Sequence, residues 1–593
     1  MGLVNGPASR YQIIVVLFAA LIFFGCAFSP PNLMDDVDAV QAQIARNMLG
    51  SGDWVTAHLD GVAYLEKSPL KYWLMAVSYM MFGVHDWAAR LPVAFGAVLL
   101  AWVTARFAAW AFGQVAGLYA GLTVATCVGL FLFTRVLIPD VILTLTITLS
   151  LWSLLRSLDE EEAHPGRWAT LLWAAMGVGL LLKSLIAIVF PIGTGLIFLV
   201  ATGEWRYRKT WSKLRILPGV LLLLAIAAPW HILATLRNPP YLDFTMHSER
   251  GSYHGFFWFY FINEQLLRFL NLRYPRDYNT VPRLYFWLFH LLWLFPWSVY
   301  LPAVFRLKYR AADRESRTRL LALCWTGCIL GFFTFSTTQE YYSMPCYPAL
   351  ALLIGSAMAA GGKAIRIGTR VAASVSALAL AVIVAILVTV WNLPAPGDIA
   401  SALSQHPDSV YTLSLGHMTD LTMASFAYLR APLVLAGIAF LIGLAGGWRF
   451  EGWRGALSLA LMMAVLFHAA RLAMVVFDPY LSSRVLADSL PPKPKGQLII
   501  DNPYYEFSSV FFYSNRTALL LNGRRNNLEY GSYAPGAPHV FIDDADFQRL
   551  WPGTDLYYVV TEGPKLPRLE RLVGKSALHL VRASGGKFLF ANH

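Results

Sequence analysis

Carboxylates and lysines are concentrated in the polar segment that follows the first long apolar run of the chain. The segment begins with Asp35, Asp36 and Asp38 and later carries Lys67 and Lys71. Ionisable side chains next to an apolar, membrane-like stretch are costly, so they usually serve a function there. A carboxylate can accept the proton of an attacking hydroxyl group, and it can also hold a metal ion. The residue types therefore predict a catalytic centre in this segment.

Each of these carboxylates also has a structural alternative. Asp36 and Asp38 flank the predicted start of a helix, where an Asp side chain can cap free backbone N–H groups. Asp35 and Asp36 are adjacent, so their side chains point in different directions. The residues alone leave open which carboxylate would do chemistry and which would cap the helix.

The composition is that of a protein that crosses a membrane several times. Of its 593 residues, 57% are hydrophobic and 14% are charged, and its mean hydropathy is +0.52. This apolar fraction exceeds what the core of a soluble protein would bury. A crossing helix needs about 20 apolar residues, and about thirteen segments qualify. They are 11–29, 89–112, 114–133, 137–156, 168–185, 187–203, 214–234, 283–305, 317–336, 342–360, 367–392, 431–447 and 455–477.

Basic linkers predict the orientation of these helices. Lys and Arg concentrate after even-numbered helices, in 204–215, 306–319, 363–370 and 448–454. Cytoplasmic loops carry this excess, so the N-terminus is predicted to lie inside. The predicted outer segments are 30–88, 235–282, 393–430 and everything after 478. The net charge of +12 is then mainly anchoring charge, and no nucleic-acid partner is predicted.

Two domains are predicted. Residues 1–478 form the membrane domain, with helices along the outer membrane surface within 30–88 and 235–282. Apolar spacing within 30–88 predicts two such helices, Asp36–Leu49 and, after the Lys67-Ser68-Pro69 break, Leu70–Phe82. Residues 479–593 form a soluble α/β domain on the outer side, because short β-rich runs alternate there with turn residues. These runs are GQLIIDN, VFFYSN, TALLLN, HVFIDD, LYYVVT and LHLVRA, with a polar helix near 544–551.

Arg135 and Arg268 join Lys67 and Lys71 on the predicted outer side, where the topology rule disfavours cations. A phosphate leaving group would explain them, because fixed cations stabilise the charge that it develops. Contact with lipid headgroups is the alternative. Asp140, at the outer start of the fourth predicted helix, can pair with a cation, bind an acceptor or cap its helix.

No cofactor is required by the residue pattern. A divalent metal ion is compatible with the outer-side histidines, although they lack tight ligand spacing. These are His58, His85, His247 and His254, with Glu66 and Glu264 nearby in sequence. No Gly-rich loop follows a strand, which argues against a nucleotide-linked donor.

The segment from Asp35 to Pro92 resembles the first outer loop of a known enzyme family. In order, it has an acidic cluster, an Ile-Ala-Arg helix, DWVTAHLDG, YLEKSPLKYW and an FGV…RLP element. This order is similar to that of bacterial GT-C glycosyltransferases of the aminoarabinose transferase (ArnT) and dolichyl-phosphate-mannose-protein mannosyltransferase type. The resemblance continues at Leu137–Asp140, at Glu264–Phe269 and at Tyr342–Leu350.

Such a resemblance implies a GT-C fold with about thirteen transmembrane helices and a periplasmic C-terminal domain, in a bacterial inner membrane. It implies transfer of a sugar from a polyprenyl (undecaprenyl) phosphate donor to a periplasmic-side acceptor, by a monomer. The first candidate is the transfer of 4-amino-4-deoxy-L-arabinose or a related sugar to lipid A, and the second is transfer to a protein or another glycan. A lipid-linked-sugar transporter or flippase is the alternative from another class, and a scaffolding role for the outer domain is a further one.

The resemblance also implies roles for single residues. The acidic catalytic residue falls among Asp35, Asp36 and Asp38. The residues implied to contact the donor phosphate are Lys67, Arg268 and Tyr342, and those implied to line the site are Tyr64, Glu66 and Asp140. The chain departs from the ArnT pattern after the acidic cluster, where Val40-Gln41 replaces Arg-Tyr.

Overall fold

Helices make up most of the computed structural model, which describes residues 10–28, 31–276, 281–336, 339–404, 416–492 and 495–593. The first group of helices is α1 (Arg10–Phe28), α2 (Val37–Ser51), α3 (Leu70–Phe82), α4 (Asp86–Phe112), α5 (Gln114–Thr126), α6 (Val128–Phe133), α7 (Asp140–Leu158), α8 (Pro165–Lys183) and α9 (Ile186–Thr202). The second group is α10 (Arg208–Leu214), α11 (Ile216–Arg237), α12 (Gly255–Phe257), α13 (Arg283–Trp293), α14 (Leu301–Val304), α15 (Arg314–Phe335), α16 (Tyr347–Ala360), α17 (Lys363–Val390), α18 (Arg430–Arg449) and α19 (Gly452–Val476). A π-helical segment, Trp258–Leu267, follows α12, and a 3₁₀ segment, Glu340–Cys346, precedes α16.

Nine helical segments in the described ranges are long and apolar enough to cross a membrane. They are Arg10–Phe28, Asp86–Phe112, Asp140–Leu158, Arg208–Arg237, Arg314–Phe335, Glu340–Ala360, Lys363–Val390, Arg430–Arg449 and Gly452–Val476. A tenth is formed if α13 and Trp297–Val304, which meet at 95°, are counted as one bent span. The other three predicted spans coincide with α8, α9 and the pair α5 and α6, which is broken at Cys127. The number thirteen stays a prediction.

The helices α2 and α3 occur where apolar spacing predicts them, but α2 does not lie openly on the membrane surface. Nine of its 15 residues are buried, because α3, the adjoining strand β1 (Ala57–Leu59) and a helix of the C-terminal region pack around it. The start of α2 is thereby enclosed between the membrane helices and the C-terminal region. This enclosure fixes the position of the acidic cluster.

A hairpin of β1 and β2 (Val62–Tyr64) separates α2 from α3. Its turn is Asp60-Gly61, with φ of 50° and 78°, the left-handed conformation that Asp-Gly favours in two-residue hairpins. The N–H of Ala518 donates to Asp60 Oδ1 at 3.1 Å. Burial raises the pKa of Asp60 to about 7, and the Ala518 N–H opposes that shift. The hairpin turn is therefore a titrating contact with the C-terminal region.

Stability should fall as the pH rises from about 4 to about 7, because Asp60 must then be ionised while buried. The unfolded chain loses this proton near pH 3.8, whereas the folded chain retains it up to about pH 7. Asp60→Asn keeps an acceptor for Ala518 and does not titrate. Its thermal midpoint should match that of the wild type near pH 4 and exceed it above pH 7, by the equivalent of roughly 2–4 kcal/mol. Parallel pH profiles for the two proteins would contradict this expectation.

The C-terminal region contains a six-stranded mixed sheet. Its strands are β3 (Gln497–Ile500), β4 (Ala518–Leu521), β5 (Phe541–Ile542), β6 (Tyr557–Glu562), β7 (His579–Ser584) and β8 (Lys587–Ala591), in the spatial order β5-β4-β3-β6-β8-β7. The strands β3 to β6 pair in parallel, and β8 pairs antiparallel with β6 and β7. The accompanying helices are α20 (Asp478–Leu481), α21 (Arg484–Ala487), α22 (Ser508–Ser514), α23 (Asn526–Gly531), α24 (Asp544–Leu550) and α25 (Leu566–Val573).

One strand predicted in this region is wrong. The run VFFYSN lies in α22, where Val510, Phe511 and Phe512 are buried, and this helix packs against α2. A short apolar run fits a buried strand and a buried helix equally well by its periodicity. Here the packing against α2, which is distant in sequence, favours the helix over the strand.

Candidate active site

A cavity of about 440 Å³ lies between one end of the bundle of apolar helices and the C-terminal region. Its polar wall includes the side chains of Asp36, Lys67 and Arg268, and its aromatic wall includes Phe269 and Phe332. The C-terminal region closes the cavity with Tyr505, Asn526 and Asn527. The cavity therefore combines a charged centre with an apolar side, as a lipid-linked phosphate would require.

Of the three clustered carboxylates, Asp36 is the one that lines this cavity. It makes no capping bond to α2 and has φ of 72° and ψ of −120°, a conformation rare for a residue other than Gly. The C-terminal region holds it there, since the Asp36 N–H donates to the Tyr505 carbonyl at 2.6 Å and Ser508 Oγ donates to the Asp36 carbonyl at 3.2 Å. The strain is retained at a position that faces the cavity, which is typical of functional residues.

Asp35 does not line the cavity and instead joins the first loop to the C-terminal region. It accepts hydrogen bonds from Ser483 Oγ at 2.6 Å, from the Ser509 N–H at 2.8 Å and from Lys587 Nζ at 2.7 Å. A carboxylate with three donors and a lysine partner has little capacity left to accept a substrate proton. The geometry therefore shows Asp35 as a contact between the first loop and the C-terminal region, and its implied catalytic role stays a prediction.

Asp38 is also an internal structural residue. It is 1% exposed, pairs with Arg90 at 3.1 Å and accepts the Leu137 N–H at 2.8 Å. Burial raises the pKa of Asp38, and the Arg90 guanidinium and the Leu137 N–H oppose that shift. Because Asp38 has these partners and does not line the cavity, the geometry favours Asp36 among the three candidates.

Lys67 and Glu66 form an ion pair at the polar wall. Glu66 also accepts hydrogen bonds from Tyr64 Oη at 2.7 Å and from the Asn527 amide. Burial alone would raise the pKa of Glu66, but Lys67 and two arginines outweigh it and lower the pKa. Both residues line the cavity, and the Lys67 side chain is 31% exposed against 8% for Glu66, so Lys67 is the more accessible member of the pair.

Arg268 and Tyr342 lie on the same wall as Lys67. Arg268 donates to Tyr342 Oη at 3.1 Å and pairs with Glu264 at 2.8 Å, and it is 3.9 Å from Glu66. Glu264 is shared with Arg273, which in turn donates to the Asn527 amide oxygen at 2.5 Å. The three residues implied to hold the donor phosphate are thus brought together from the first loop, from the end of the π-helical segment and from the 3₁₀ segment that precedes α16.

Asp140 also lines the cavity, paired with a lysine that the sequence analysis did not single out. Lys183 Nζ is 2.6 Å from Asp140 Oδ1 and lies over the rings of Tyr341 and Tyr342 at 4.9 and 4.7 Å. Lys183 lies at the predicted outer end of a membrane helix. A cation in that position was the sequence signal that could have identified it. Asn527 and Tyr505 had no such signal, because they come from the distant C-terminal region.

Two other predicted cations have different environments. Lys71 lines the cavity, and its ammonium donates to Gln41 Oε1 at 2.6 Å. Arg135 is 5% exposed and does not line the cavity, and its guanidinium lies over Phe131 at 4.9 Å. The geometry therefore does not place Arg135 among the groups that could contact a phosphate.

The histidines do not form a metal-binding cluster. No group of three or more His, Cys, Asp or Glu side chains in the described part of the chain is arranged to hold a metal ion. His254 Nδ1 pairs with Asp243 at 2.7 Å, and His85 stacks on Trp87 with ring centroids 5.7 Å apart.

Known proteins resemble the chain in sequence and fold. The family described as dolichyl-phosphate-mannose-protein mannosyltransferase matches residues 66–233. A relative from Erwinia tasmaniensis, named undecaprenyl phosphate-alpha-4-amino-4-deoxy-L-arabinose arabinosyl transferase, is 25% identical over 556 residues, which is 91% of each chain. A relative of the same name from Pseudomonas aeruginosa is 26% identical over 92% of this chain and 91% of its own.

The fold matches that of a solved structure over nearly the whole chain. The crystal structure of ArnT from Cupriavidus metallidurans bound to undecaprenyl phosphate superposes with a TM-score of 0.78 at 23% identity, covering 99% of both chains. The same protein in the apo state gives a TM-score of 0.76 at 24% identity, again over 99% of both chains. The chain therefore has the fold of these ArnT structures, with many apolar helices and a C-terminal sheet region.

Proposed function

We propose that the protein transfers a sugar from undecaprenyl phosphate to an acceptor at the outer face of a bacterial inner membrane. The observation that carries this proposal is one cavity that Lys67, Arg268 and Tyr342 line together with the aromatic wall, with Asp36 at its border with the C-terminal region. The first candidates for sugar and acceptor are 4-amino-4-deoxy-L-arabinose and lipid A, because the relatives are named for that sugar. A protein or another glycan is the alternative acceptor.

The lipid chain of the donor would enter along the aromatic wall. Phe269 directly follows Arg268 and is 42% exposed, and Phe332 packs against it with ring centroids 5.4 Å apart. Apolar side chains next to a phosphate-binding group allow a lipid to bind while its tail stays in the bilayer. This arrangement supports a membrane-embedded donor over a soluble one.

In the reaction, an acceptor oxygen attacks the anomeric carbon as the bond from that carbon to the phosphate oxygen breaks. The electron pair of that bond leaves with undecaprenyl phosphate, whose added charge Lys67 and Arg268 stabilise. Asp36 orients the acceptor and takes its proton when the acceptor is a hydroxyl group. Holding the phosphate and the acceptor on opposite sides of the sugar lowers the entropic part of the activation barrier.

Reconstitution in lipid vesicles tests this function. Purified protein should transfer sugar from undecaprenyl-phosphate-linked 4-amino-4-deoxy-L-arabinose to added lipid A, with release of undecaprenyl phosphate, both detected by mass spectrometry. Vesicles without the protein are the control. Movement of the donor across the bilayer without any transfer product would favour the flippase alternative instead.

A further inference from the structure

Asn527 is a buried amide that links two charged side chains distant from it in sequence. It lies in α23 of the C-terminal region and is 5% exposed. Its Oδ1 accepts from Arg273 Nη2 at 2.5 Å, and its Nδ2 donates to Glu66 Oε2. A guanidinium can only donate and an ionised carboxylate can only accept, so the two partners fix the orientation of the amide. An ionised Asp in its place would serve one partner, and an apolar side chain would serve neither.

Through its two partners, this amide is connected to both cations implied to hold the donor phosphate. Glu66 pairs with Lys67. Arg273 pairs with Glu264, whose other oxygen accepts from Arg268 at 2.8 Å. Because Arg268 also lies 3.9 Å from Glu66, the ion pairs and the amide form a closed ring beside the cavity. Within this ring, the amide is the link that the C-terminal region supplies.

The ring carries one net positive charge, since three cations face two carboxylates. The cations are Lys67, Arg268 and Arg273, and the carboxylates are Glu66 and Glu264. Lys67 and Arg268 line the cavity, whereas Arg273 does not and is 4% exposed. Arg273 is therefore placed to hold its neighbours, and the other two cations are placed to contact a phosphate. The neutral amide closes the ring without cancelling its charge.

We propose that Asn527 is a positioning residue for the donor: by closing this ring, it fixes the separation of Lys67 and Arg268. The inference rests on the proposed function and specifies how the C-terminal region takes part in it. Long cationic side chains lose rotamer freedom when they bind a ligand. A ring that already orders them lowers this cost for the phosphate and keeps both cations in place as the charge on the phosphate grows.

Asn527→Leu tests the proposal, because it keeps the approximate size of the side chain and removes both hydrogen bonds. In nanodiscs, the full-length variant should bind undecaprenyl phosphate about three- to ten-fold more weakly than the wild type, as expected for the loss of a hydrogen bond. The kcat for sugar transfer should fall further, about ten- to a hundred-fold, because the charge on the phosphate is larger in the transition state than in the bound donor. A wild-type value of either quantity would overturn the proposal.

Asn527→Asp is a second variant, of nearly the same shape. It keeps an acceptor for Arg273 but places a carboxylate against Glu66, which repels it and cancels the net charge of the ring. At about pH 8, where an Asp is ionised, it should bind undecaprenyl phosphate at least as weakly as Asn527→Leu. Relative to the wild type, its affinity should recover at lower pH, because a protonated Asp again donates to Glu66. Wild-type affinity at the higher pH would show that the donor at this position is dispensable, and the proposal would be wrong.

Tyr530→Phe is the matched control in the same helix. Tyr530 Oη accepts from the His254 N–H at 2.9 Å and donates to the Gly255 carbonyl at 3.0 Å, so the variant loses a contact between α23 and the segment 235–282. Tyr530 does not line the cavity. Its variant should unfold at a lower temperature and bind undecaprenyl phosphate like the wild type. If it weakens binding as much as Asn527→Leu does, the effect of Asn527 is general loosening of the C-terminal region, and the positioning role is overturned.

Double variants show whether Asn527 acts through the two cations. Combined with Lys67→Met or with Arg268→Gln, Asn527→Leu should weaken binding by less than about two-fold further, because one remaining cation has no partner with which to be aligned. A merely structural role would give the same fold-loss in every background, and that result would overturn the proposal.

Binding by the wild type separates this inference from the function on which it rests. If the wild type binds undecaprenyl phosphate and transfers sugar but both Asn527 variants match it, the function stands and the positioning role is overturned. If the wild type does not bind undecaprenyl phosphate at all, the proposed function fails and this inference fails with it.

Discussion

Asp36→Asn should lower the turnover number about a hundred- to ten-thousand-fold, the range associated with loss of a general base. The affinity for undecaprenyl phosphate should stay near the wild-type value, because the proposed mechanism assigns Asp36 to the acceptor and Lys67 to the phosphate. Asn preserves the size of the side chain and removes its negative charge. Single-turnover transfer, measured beside equilibrium binding of the donor, separates the two effects.

The other two carboxylates of the cluster are the matched controls. Asp35→Asn and Asp38→Asn remove the same charge from neighbouring positions, but they break the pairs with Lys587 and Arg90. Breaking a buried pair by removing one partner costs about 3–5 kcal/mol, so these variants should unfold at lower temperature. Turnover per folded molecule should fall far less than in Asp36→Asn. A folded Asp35→Asn or Asp38→Asn protein that is inactive beside an active Asp36→Asn protein would contradict the assignment.

Local patterns predict the parts of the site that are close in sequence. The helix α3 occupies Leu70–Phe82, the range predicted from its apolar spacing, because the Lys67-Ser68-Pro69 break and Gly83 bound it. The order of elements in the first loop likewise predicts that Lys67 faces the same cavity as the acidic cluster. Such features depend on periodicity and on Pro and Gly positions, which a sequence displays directly.

Contacts between segments that are distant in sequence cannot be predicted from such local patterns. Asp35, Asp36 and Asp38 are the same residue type and lie within four positions of one another, yet each has a different environment. Lys587, from the last strand, and Arg90, from α4, neutralise the outer two, and the Tyr505 carbonyl holds the backbone of the middle one. No spacing within the cluster encodes these partners, so the sequence leaves the catalytic residue open.

Lys67→Met should weaken binding of undecaprenyl phosphate at least about ten-fold and lower kcat/KM for transfer about a hundred- to a thousand-fold. Lys67 is the most exposed member of its ion pair and faces the cavity, so its ammonium can contact the phosphate before and during departure. The charge on the leaving phosphate grows in the transition state, so the effect on transfer should exceed the effect on binding. Equilibrium binding of undecaprenyl phosphate and steady-state transfer, measured on the same preparation, provide the affinity and the kcat/KM.

A second effect of this substitution has to be separated from the first. Lys67→Met also deprives Glu66 of its partner, and a buried unpaired carboxylate is destabilising, even though Tyr64 and Asn527 still donate to it. The double variant Glu66→Gln/Lys67→Met removes both charges together and should recover the thermal stability. If Lys67 acts on the phosphate, the double variant stays as inactive as Lys67→Met, because stability returns without the ammonium. Recovery of transfer together with stability would show instead that Lys67 acts only by neutralising Glu66.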